Sequence, residues 1–560
     1  MNRLTKYLPW FLLLASAALF FLPLSSRALW NSDEGRYAEI AREMLELKDW
    51  VSPHLNYVLY FEKPPLMYWL TATSFMIFGQ NEFAARFWCA MFGVLTVGVV
   101  YLLGKHWKSE RAGLLAGSLL ATSLGFFLLT QYLVLDMALT FWMTLSLYAS
   151  SRILQERPPE KVRRYTDLLM VAIAGGVLTK GLIAAVFPIA ILGLTLAYMR
   201  LAVQARKIPW QPALILGALF TAPWFVLVSL KHPFFPQFFF IHEHLERFLT
   251  TIHHREAPFY FFVPVLFAAF LPWSVFLPKV FLSAFEHHGI AMKRNPVMAL
   301  LVIWSLFIFL FFSFSQSKLM GYILPIVPAL ALLVGNLFDE ALESEDSPKW
   351  VEGGVIALIL IWVAGLTVLK LPQANLLFSD PVAAVLRAHS GGLALILGLG
   401  VFILVGVWGM RQVTACLSGI VMVQVILLSS LTSLAVSVDP YLSNKGLARM
   451  ISVRAKPDER VLSYGVSYED VLQSLPFYSK RRIIVEGQPG ELALGQEHAD
   501  DASDWFITDP GAQDAFDDTR LGTWLVTSDD MAKYLRPIGV LDPFDLIGRE
   551  GRLLLLHKVR

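Results

Sequence analysis

The chain contains too few charged residues for a water-soluble protein of its size. Lys, Arg, Asp and Glu make up 16% of its 560 residues, whereas soluble domains carry about 25%. The net charge of +2 provides no strongly basic surface for a nucleic-acid partner. Two cysteines, Cys89 and Cys416, are too few for a disulfide framework or a multi-cysteine zinc module. Since 56% of the residues are hydrophobic, the composition indicates a polytopic membrane protein.

The few charges are concentrated near the C-terminus. Residues 441–560 hold 15 Lys and Arg and 19 Asp and Glu, more than twice the charge density of the preceding part. We therefore predict a membrane domain over residues 1–438 and a soluble domain over 439–560. In the second domain β-rich and helical patterns alternate, which is typical of an α/β fold. The predicted strands are Arg460–Tyr464, Arg482–Glu486, Trp505–Thr508 and Thr523–Thr527, and the predicted helices are Tyr468–Tyr478 and Ala512–Arg520.

Apolar segments of membrane-spanning length recur through the first domain. We expect about 13 transmembrane helices, the first of them retained rather than cleaved as a signal peptide. Lys and Arg cluster in alternate short loops, and the positive-inside rule places those loops in the cytoplasm. The C-terminal domain and the long loops 25–82 and 231–258 then lie on the outer side. The expected spans are 8–24, 83–103, 111–130, 134–152, 167–179, 181–199, 210–230, 258–280, 297–314, 319–338, 350–369, 391–410 and 413–436.

Two adjacent carboxylates follow the first span. Asp33 and Glu34, with Arg36 close by, begin a stretch whose apolar residues have helical spacing. Ser32 is placed to cap this helix. The pattern predicts an amphipathic helix lying in the membrane interface. The two carboxylates are either catalytic groups at the membrane edge or only an acidic first turn that favours the helix start.

The same loop carries a second polar motif, in which Tyr60, Glu62 and Lys63 precede two prolines. The prolines fix the backbone in an extended form after Lys63. A lysine held there can neutralise a lipid phosphate. The alternative is ordinary anchoring at the membrane interface, which is common for Tyr, Trp and Lys.

Ionisable residues also lie at the outer ends of predicted spans. Asp136 and Lys180 end two of them, and Lys318 and Tyr322 flank the start of another. Such groups are costly in a membrane and usually face a cavity or a partner. Their shared position predicts a polar cavity open to the outer side.

The second long loop is rich in histidine. His242 lies in a His-Glu-His-Leu-Glu-Arg run that ends at Arg247, and with Glu62 it could bind zinc or another divalent metal. The spacing matches no established metal motif, so solvated loop histidines are the alternative. Arg247 offers a planar fork for phosphate oxygens.

Five short motifs together resemble the GT-C glycosyltransferases, a family that is related to the protein O-mannosyltransferases. Within the family the motifs are most similar to those of bacterial enzymes that transfer aminoarabinose to lipid A. The similarity extends over most of the chain. It rests on Asn31–Ala38, Phe61–Leu66, Leu135–Ala138, Leu178–Gly181 and Lys318–Pro325.

This resemblance implies roles for individual residues. Asp33 and Asp136 match the family's catalytic carboxylates. The phosphate of a polyprenyl donor would be held by Lys63, Arg247, Tyr322, Lys180, Arg36, Lys318 and Tyr60. Glu62 and His242 would form a possible divalent-metal pair.

The resemblance also implies partners. The donor would be 4-amino-4-deoxy-L-arabinose on undecaprenyl phosphate and the acceptor lipid A, on the periplasmic face of the inner membrane. The modification would give resistance to cationic antimicrobial peptides. A monomer with no nucleotide or organic cofactor is expected. Two alternatives stay open: a GT-C enzyme that moves mannose or another sugar to a protein or glycan, and a secondary transporter.

Overall fold

The computed structural model describes residues 5–246, 257–343, 347–370, 380–508 and 522–559. The chain forms two compact units. The first, here called the membrane unit, comprises Met1–Leu24 and Phe87–Thr432, and the second, the sheet unit, comprises Ser25–Arg86 and Ser433–Arg560. The loop 25–82, which the sequence assigned to the membrane domain, thus packs with the C-terminal segment.

The membrane unit is helical in its described parts. Short 3-10 helices lie at Thr5–Tyr7, Phe259–Phe261, Trp273–Phe276 and Met320–Ile326, and a π-helix at Gln237–Glu246. The α-helices are Leu8–Phe21, Glu82–Trp107 (which begins in the sheet unit), Glu110–Ala121, Leu124–Thr130, Leu135–Gln155, Pro159–Lys180, Ile183–Tyr198, Ala202–Arg206, Trp210–Lys231, Phe262–Ala269, Leu277–Arg294, Pro296–Phe314, Val327–Ala341, Lys349–Lys370, Asp380–Ala388, Ser390–Gly409 and Val413–Val436.

Several of these helices are long and apolar enough to cross a membrane. Within the described residues seven qualify, or up to nine if two bent pairs each count as one span. The bend between Glu110–Ala121 and Leu124–Thr130 is 66°, and the second pair, Phe259–Ala269 with Trp273–Ser283, bends by 110° around Pro272. Every segment that the sequence predicted to span the membrane contains helix. A multi-span helical membrane protein follows.

The sheet unit contains two β-sheets. A hairpin pairs β1 (His54–Leu55) with β2 (Val58–Leu59). The larger sheet has the order β5-β4-β3-β6-β8-β7, parallel from β5 to β6 and antiparallel from β6 to β7. Its strands are β3 (Arg460–Ser463), β4 (Ile484–Glu486), β5 (Phe506–Ile507), β6 (Thr523–Ser528), β7 (Asp545–Glu550) and β8 (Leu553–Lys558).

Helices flank this sheet and the loop that packs with it. Tyr468–Leu472 is a π-helix and Gly490–Leu492 a 3-10 helix. The predicted helix 512–520 lies outside the described residues. The α-helices are Asp33–Leu47, Leu66–Phe78, Asp439–Leu442, Lys445–Arg454, Ser474–Ser479, Ala493–Glu497, Ala502–Trp505 and Asp529–Leu535.

The β1–β2 hairpin is joined to the C-terminal segment by one asparagine. Asn56 adopts a left-handed backbone conformation, with φ 53°, which asparagine tolerates better than most residues. Its side-chain amide donates to the carbonyl of Ile483 and accepts from the Ile483 N–H, each at 2.9 Å. The side chain therefore mimics a strand and fixes the hairpin against the start of β4.

The helix Asp33–Leu47 differs from the predicted interfacial helix. All residues from Glu34 to Met44 are buried within the protein, charged ones included, and most of these charges are paired there. Arg42, for example, bonds Glu39 at 2.7 Å. The prediction of a helix with one face in the membrane interface is wrong. Ser32 precedes the helix but makes no side-chain cap, so that expectation also fails.

Candidate active site

The two adjacent carboxylates of the first loop have different environments. Glu34 is fully buried, and its carboxylate binds Arg27 at 2.5 Å and Arg86 at 2.6 and 2.9 Å. Burial raises the pKa of Glu34, but the two arginines outweigh it and bring the value to about 2. Glu34 is therefore an ionised structural anchor, and its partners are buried residues that sequence reasoning missed.

Asp33, by contrast, remains accessible. Its side chain is 41% exposed at the first position of the helix, where the helix dipole favours a negative charge. The nearest ion-pair contact is Arg36, at 3.6 Å. Asp33 also lies close enough to Tyr37 to help raise the pKa of that phenol, after the larger effect of burial. Of the two carboxylates, Asp33 is the one that a substrate can reach.

The rest of the first motif holds the sheet unit together. Asn31 accepts from the Ser474 N–H at 2.7 Å and donates to Asn444 at 2.9 Å. Gly35 allows close backbone approach, because a Cβ there would lie 2.5 Å from the Ser474 nitrogen. The motif therefore fixes the helix that carries Asp33 against the C-terminal segment.

Arg36 and Tyr60 share one acceptor. Glu491 accepts from Arg36 at 3.0 Å and from the Tyr60 hydroxyl at 3.2 Å. Arg36 also donates to Gln473 at 3.0 Å. Burial lowers the pKa of Arg36, but neighbours led by Tyr60 and Glu491 raise it well above its usual value. These predicted donor-binding residues are thus engaged within the sheet unit, by C-terminal residues that sequence reasoning missed.

Lys63 and Glu62 lie in the segment before the two prolines. The Lys63 ammonium donates to the Glu62 carbonyl at 2.8 Å and lies 3.7 Å from its carboxylate. The Lys63 side chain is 14% exposed. This ammonium is held in place while a small part of it stays accessible, which suits contact with a phosphate.

The membrane unit brings Asp136 and Lys180 together. The Lys180 ammonium donates to the Asp136 carboxylate at 2.6 Å, and both side chains are less than one-fifth exposed. Asp136 lies in the first turn of Leu135–Gln155, and Lys180 ends Pro159–Lys180. Each charge therefore complements the dipole of its own helix. Two of the groups that were predicted to face a polar cavity therefore form a close ion pair, and the cavity itself stays a prediction.

The motif 318–325 contributes to the same cluster. Tyr322 lies with its ring 4.9 Å from the Lys180 ammonium, a cation–π distance, and 5.0 Å from the Phe312 ring. Gly321 passes so close that a Cβ there would lie 3.0 Å from the Asp136 carboxyl carbon. Lys318 is buried and donates to the Ser315 carbonyl at 2.5 Å.

A methyl group at Gly321 tests whether the position of Asp136 matters. Gly321→Ala should push the carboxylate away from Lys180 and lower the catalytic efficiency of the sugar transfer that the family resemblance implies by about tenfold, because small displacements of reacting groups are costly. Kinetics with a labelled lipid-linked sugar, the substrate that the resemblance implies, measure this. Gly193→Ala is the matched control, since a Cβ there meets nothing within 4 Å among the described residues. Equal losses in both variants would contradict the prediction.

The structure gives no support to the predicted metal site of Glu62 and His242. Across the described ranges, no group of three or more His, Cys, Asp and Glu side chains could hold a metal ion. His242 stacks on Phe238, with ring centroids 5.4 Å apart, and Glu62 lies beside Lys63. The zinc pair of Glu62 and His242 is thus unsupported. Arg247 lies outside the described residues.

Comparison with solved structures gives the class of protein. The chain matches ArnT from Cupriavidus metallidurans bound to undecaprenyl phosphate with a TM-score of 0.85 and 26% identity, over 98% of this chain and 97% of that one. The apo structure gives 0.84 and 27% over the same shares. An oligosaccharyltransferase from Archaeoglobus fulgidus shares the fold, with a TM-score of 0.52 and 14% identity over 95% and 71%. The fold is the GT-C fold of membrane glycosyltransferases.

Sequence relatives give the family. Residues 8–243 match the family model of dolichyl-phosphate-mannose-protein mannosyltransferase. An undecaprenyl phosphate-alpha-4-amino-4-deoxy-L-arabinose arabinosyl transferase from Aeromonas salmonicida is 34% identical over 68% of this chain and 68% of its own length. The transferase of that name from Pectobacterium atrosepticum is 36% identical over 57% of this chain, and the match spans 56% of its length. The chain belongs to this arabinosyl transferase family.

Proposed function

We propose that the chain transfers 4-amino-4-deoxy-L-arabinose from undecaprenyl phosphate to phosphate groups of lipid A. The observation that carries the proposal is the match, over nearly the whole chain, to ArnT bound to undecaprenyl phosphate. The charged groups described above suit this chemistry, since the reaction breaks a bond between a sugar and a phosphate.

In the proposed reaction a lipid A phosphate oxygen attacks C1 of the sugar. The bond from C1 to the donor phosphate oxygen breaks, and undecaprenyl phosphate leaves with the bonding electrons. From the family resemblance alone we assign to Lys63 and to Lys180 the stabilisation of the negative charge that develops on this leaving group. Arg247, Lys318 and Tyr322 support the same phosphate, while Arg36 and Tyr60 keep the helix of Asp33 in place through Glu491.

The two carboxylates have different roles in this scheme: Asp33 acts on the substrates, and Asp136 acts through Lys180. Because the acceptor phosphate is already anionic near neutral pH, Asp33 orients the substrates rather than removing a proton. Asp136 positions the Lys180 ammonium, and Tyr322 packs against the same ammonium. No nucleotide takes part in this scheme, and no step depends on a metal.

We further propose an orientation in the inner membrane. The basic short loops put the N-terminus in the cytoplasm, and thirteen spans, an odd number counted as the sequence predicts them, put the C-terminus on the opposite side. The reaction and the C-terminal segment then lie in the periplasm. The basic short loops support this orientation. The chain is proposed to act as a monomer.

Mass spectrometry of lipid A tests the reaction directly. Cells that produce the protein should show an aminopentose mass increment on lipid A, and cells without it should not. Unmodified lipid A in both would contradict the proposed function. The match to the mannosyltransferase model favours one alternative, mannose transfer to a protein. A mannose increment on membrane proteins that depends on the chain would identify that activity instead.

A further inference from the structure

A cavity of about 480 Å³ opens at one end of the membrane unit. Its wall includes Trp107, Asn295, Glu340 and Trp350, each of which lies at or next to the end of a candidate span. Span ends mark the boundary between the hydrocarbon core and the lipid headgroups. The cavity is therefore at headgroup level.

One helical span shows which end of the unit this is. Tyr322 lies near the start of Met320–Ala341, beside Lys180, whereas Glu340 lies at its other end and lines the cavity. Eighteen residues of helix separate the two positions by roughly 30 Å. The cavity is thus at the opposite end of the membrane unit from the Asp136–Lys180 pair, and the proposed transfer reaction does not use it.

Cationic and anionic groups share the cavity wall. Lys108 and Lys279 supply ammonium groups. The Lys108 ammonium lies 3.1 Å from one carboxylate oxygen of Glu340, and both side chains are about half exposed. A ligand that carried only negative charge would meet this carboxylate as well as the two lysines. The wall suits a ligand with charges of both signs.

Asn336 provides a buried acceptor beside Glu340. Asn336 lines the cavity and donates to Glu340 at 3.1 Å. Its carbonyl oxygen Oδ1 is buried and finds no hydrogen-bond partner among the residues that the structure describes. A buried acceptor without a donor is costly. An ammonium that reached Glu340 could also donate to this oxygen.

Two tryptophans frame the cavity rigidly. The Trp107 indole N–H donates to Asn295 at 3.2 Å. The Trp350 ring packs against Phe276 and Phe338, with centroids 5.9 and 5.2 Å apart. Tryptophan is enriched where membrane meets water, because its ring is amphipathic. Trp107 and Trp350 are therefore suited to contact the glycerol region of a lipid, below its charged headgroup.

We propose that this cavity binds the headgroup of a phospholipid that carries both a phosphate and a primary ammonium. The phosphate faces Lys108 and Lys279, and the ammonium faces Glu340 and the Asn336 carbonyl oxygen. The lipid belongs to the leaflet opposite to that of the proposed reaction. Its binding is independent of the donor and acceptor of sugar transfer.

Lipid retention by the full-length chain tests this site. The protein is placed in nanodiscs of equal parts phosphatidylethanolamine and phosphatidylglycerol, extracted with mild detergent and weighed by native mass spectrometry. The unmodified chain should retain one phosphatidylethanolamine in at least about tenfold preference to phosphatidylglycerol. Lys279→Ala should lower that retention by about tenfold, since a charge-assisted hydrogen bond is lost.

Two further variants make the result interpretable. Lys108→Ala removes a half-exposed side chain, so it should fold normally and also lose retention. Lys293→Ala is the matched control, an exposed lysine at the same end that does not line the cavity, and should behave like the unmodified chain. Equal retention of the two lipids, or equal behaviour of Lys279→Ala and Lys293→Ala, would overturn the proposal. Because the experiment measures lipid retention and not sugar transfer, a negative result would leave the proposed function unaffected.

Discussion

Asp33→Asn should reduce the proposed sugar transfer by about 10²-fold, the loss expected when a group that orients the substrates is removed. The physical reason is that Asp33 presents an accessible negative charge at the start of a helix whose residues from Glu34 to Met44 are buried. Asparagine keeps the shape of the side chain but removes that charge. Transfer of labelled aminoarabinose from undecaprenyl phosphate to lipid A, in reconstituted vesicles, measures the loss.

The stability of the same variant separates catalysis from folding. The Asp33 side chain is partly exposed, and its ion-pair contact with Arg36 is long, at 3.6 Å. Asp33→Asn should therefore unfold at the same temperature as the unmodified chain. Transfer at the original rate would eliminate Asp33 as a catalytic residue. A matching loss of thermal stability would show instead that the residue is structural.

Glu34→Gln should produce the opposite result, a strongly destabilised protein. The substitution leaves Arg27 and Arg86 buried without the carboxylate that they share. Breaking a buried ion pair in this way costs about 3–5 kcal/mol. Thermal unfolding of the full chain in detergent, followed by circular dichroism, measures the change. Glu46→Gln is the matched control on the same helix; Glu46 is half exposed, so its loss should cost under about 1 kcal/mol.

The effect of Glu34 should also depend on pH with a defined sign. Its pKa falls from the usual 4.5 to about 2 in the folded protein, because the pull of Arg27 and Arg86 exceeds the opposing effect of burial. Because folding lowers the pKa of Glu34, its ionised form contributes its full stabilisation above about pH 4.5. That stabilisation is lost as the pH falls towards 2. The stability gap between the unmodified chain and Glu34→Gln should therefore close over this interval.

Comparing the two proteins at each pH removes the contributions of other groups. Glu43, for example, is buried on the same helix, and burial followed by the charge of Glu39 raises its pKa. Protonation of Glu43 stabilises the fold as the pH falls, whereas protonation of Glu34 destabilises it. The Glu43 effect is present in the unmodified chain and in Glu34→Gln alike, so it cancels in the comparison. A gap that stays constant between pH 5 and pH 2.5 would contradict the role assigned to Glu34.

The helical segments of the membrane unit could be predicted because apolar runs of this length have few other stable conformations. The cluster of Asp136 and Lys180 was also accessible from the sequence, since ionisable residues at span ends need a partner. The same rule applies to Arg86, which lies within the predicted span 83–103. That signal could have identified it as the partner of a buried carboxylate.

The environment of the first motif could not be predicted from local pattern. Spacing indicated a helix over Asp33–Leu47, but it gave no sign that both of its faces would be covered. The residues that bury this helix include Gln473 and Glu491, which lie more than 400 positions away along the chain. The hairpin of β7 and β8 was missed for a different reason: its Leu553–Leu556 run has no alternation of apolar and polar residues.

The composition of the sheet unit has a consequence for biosynthesis. Its two segments, Ser25–Arg86 and Ser433–Arg560, are separated in the chain by the whole membrane unit. At 5–20 residues per second, a ribosome needs roughly 20–70 s to proceed from the end of the first segment to the start of the second. During that time the helix that carries Asp33 lacks its C-terminal partners, Gln473 and Glu491 among them. The contacts of that helix are thus completed only at the end of translation.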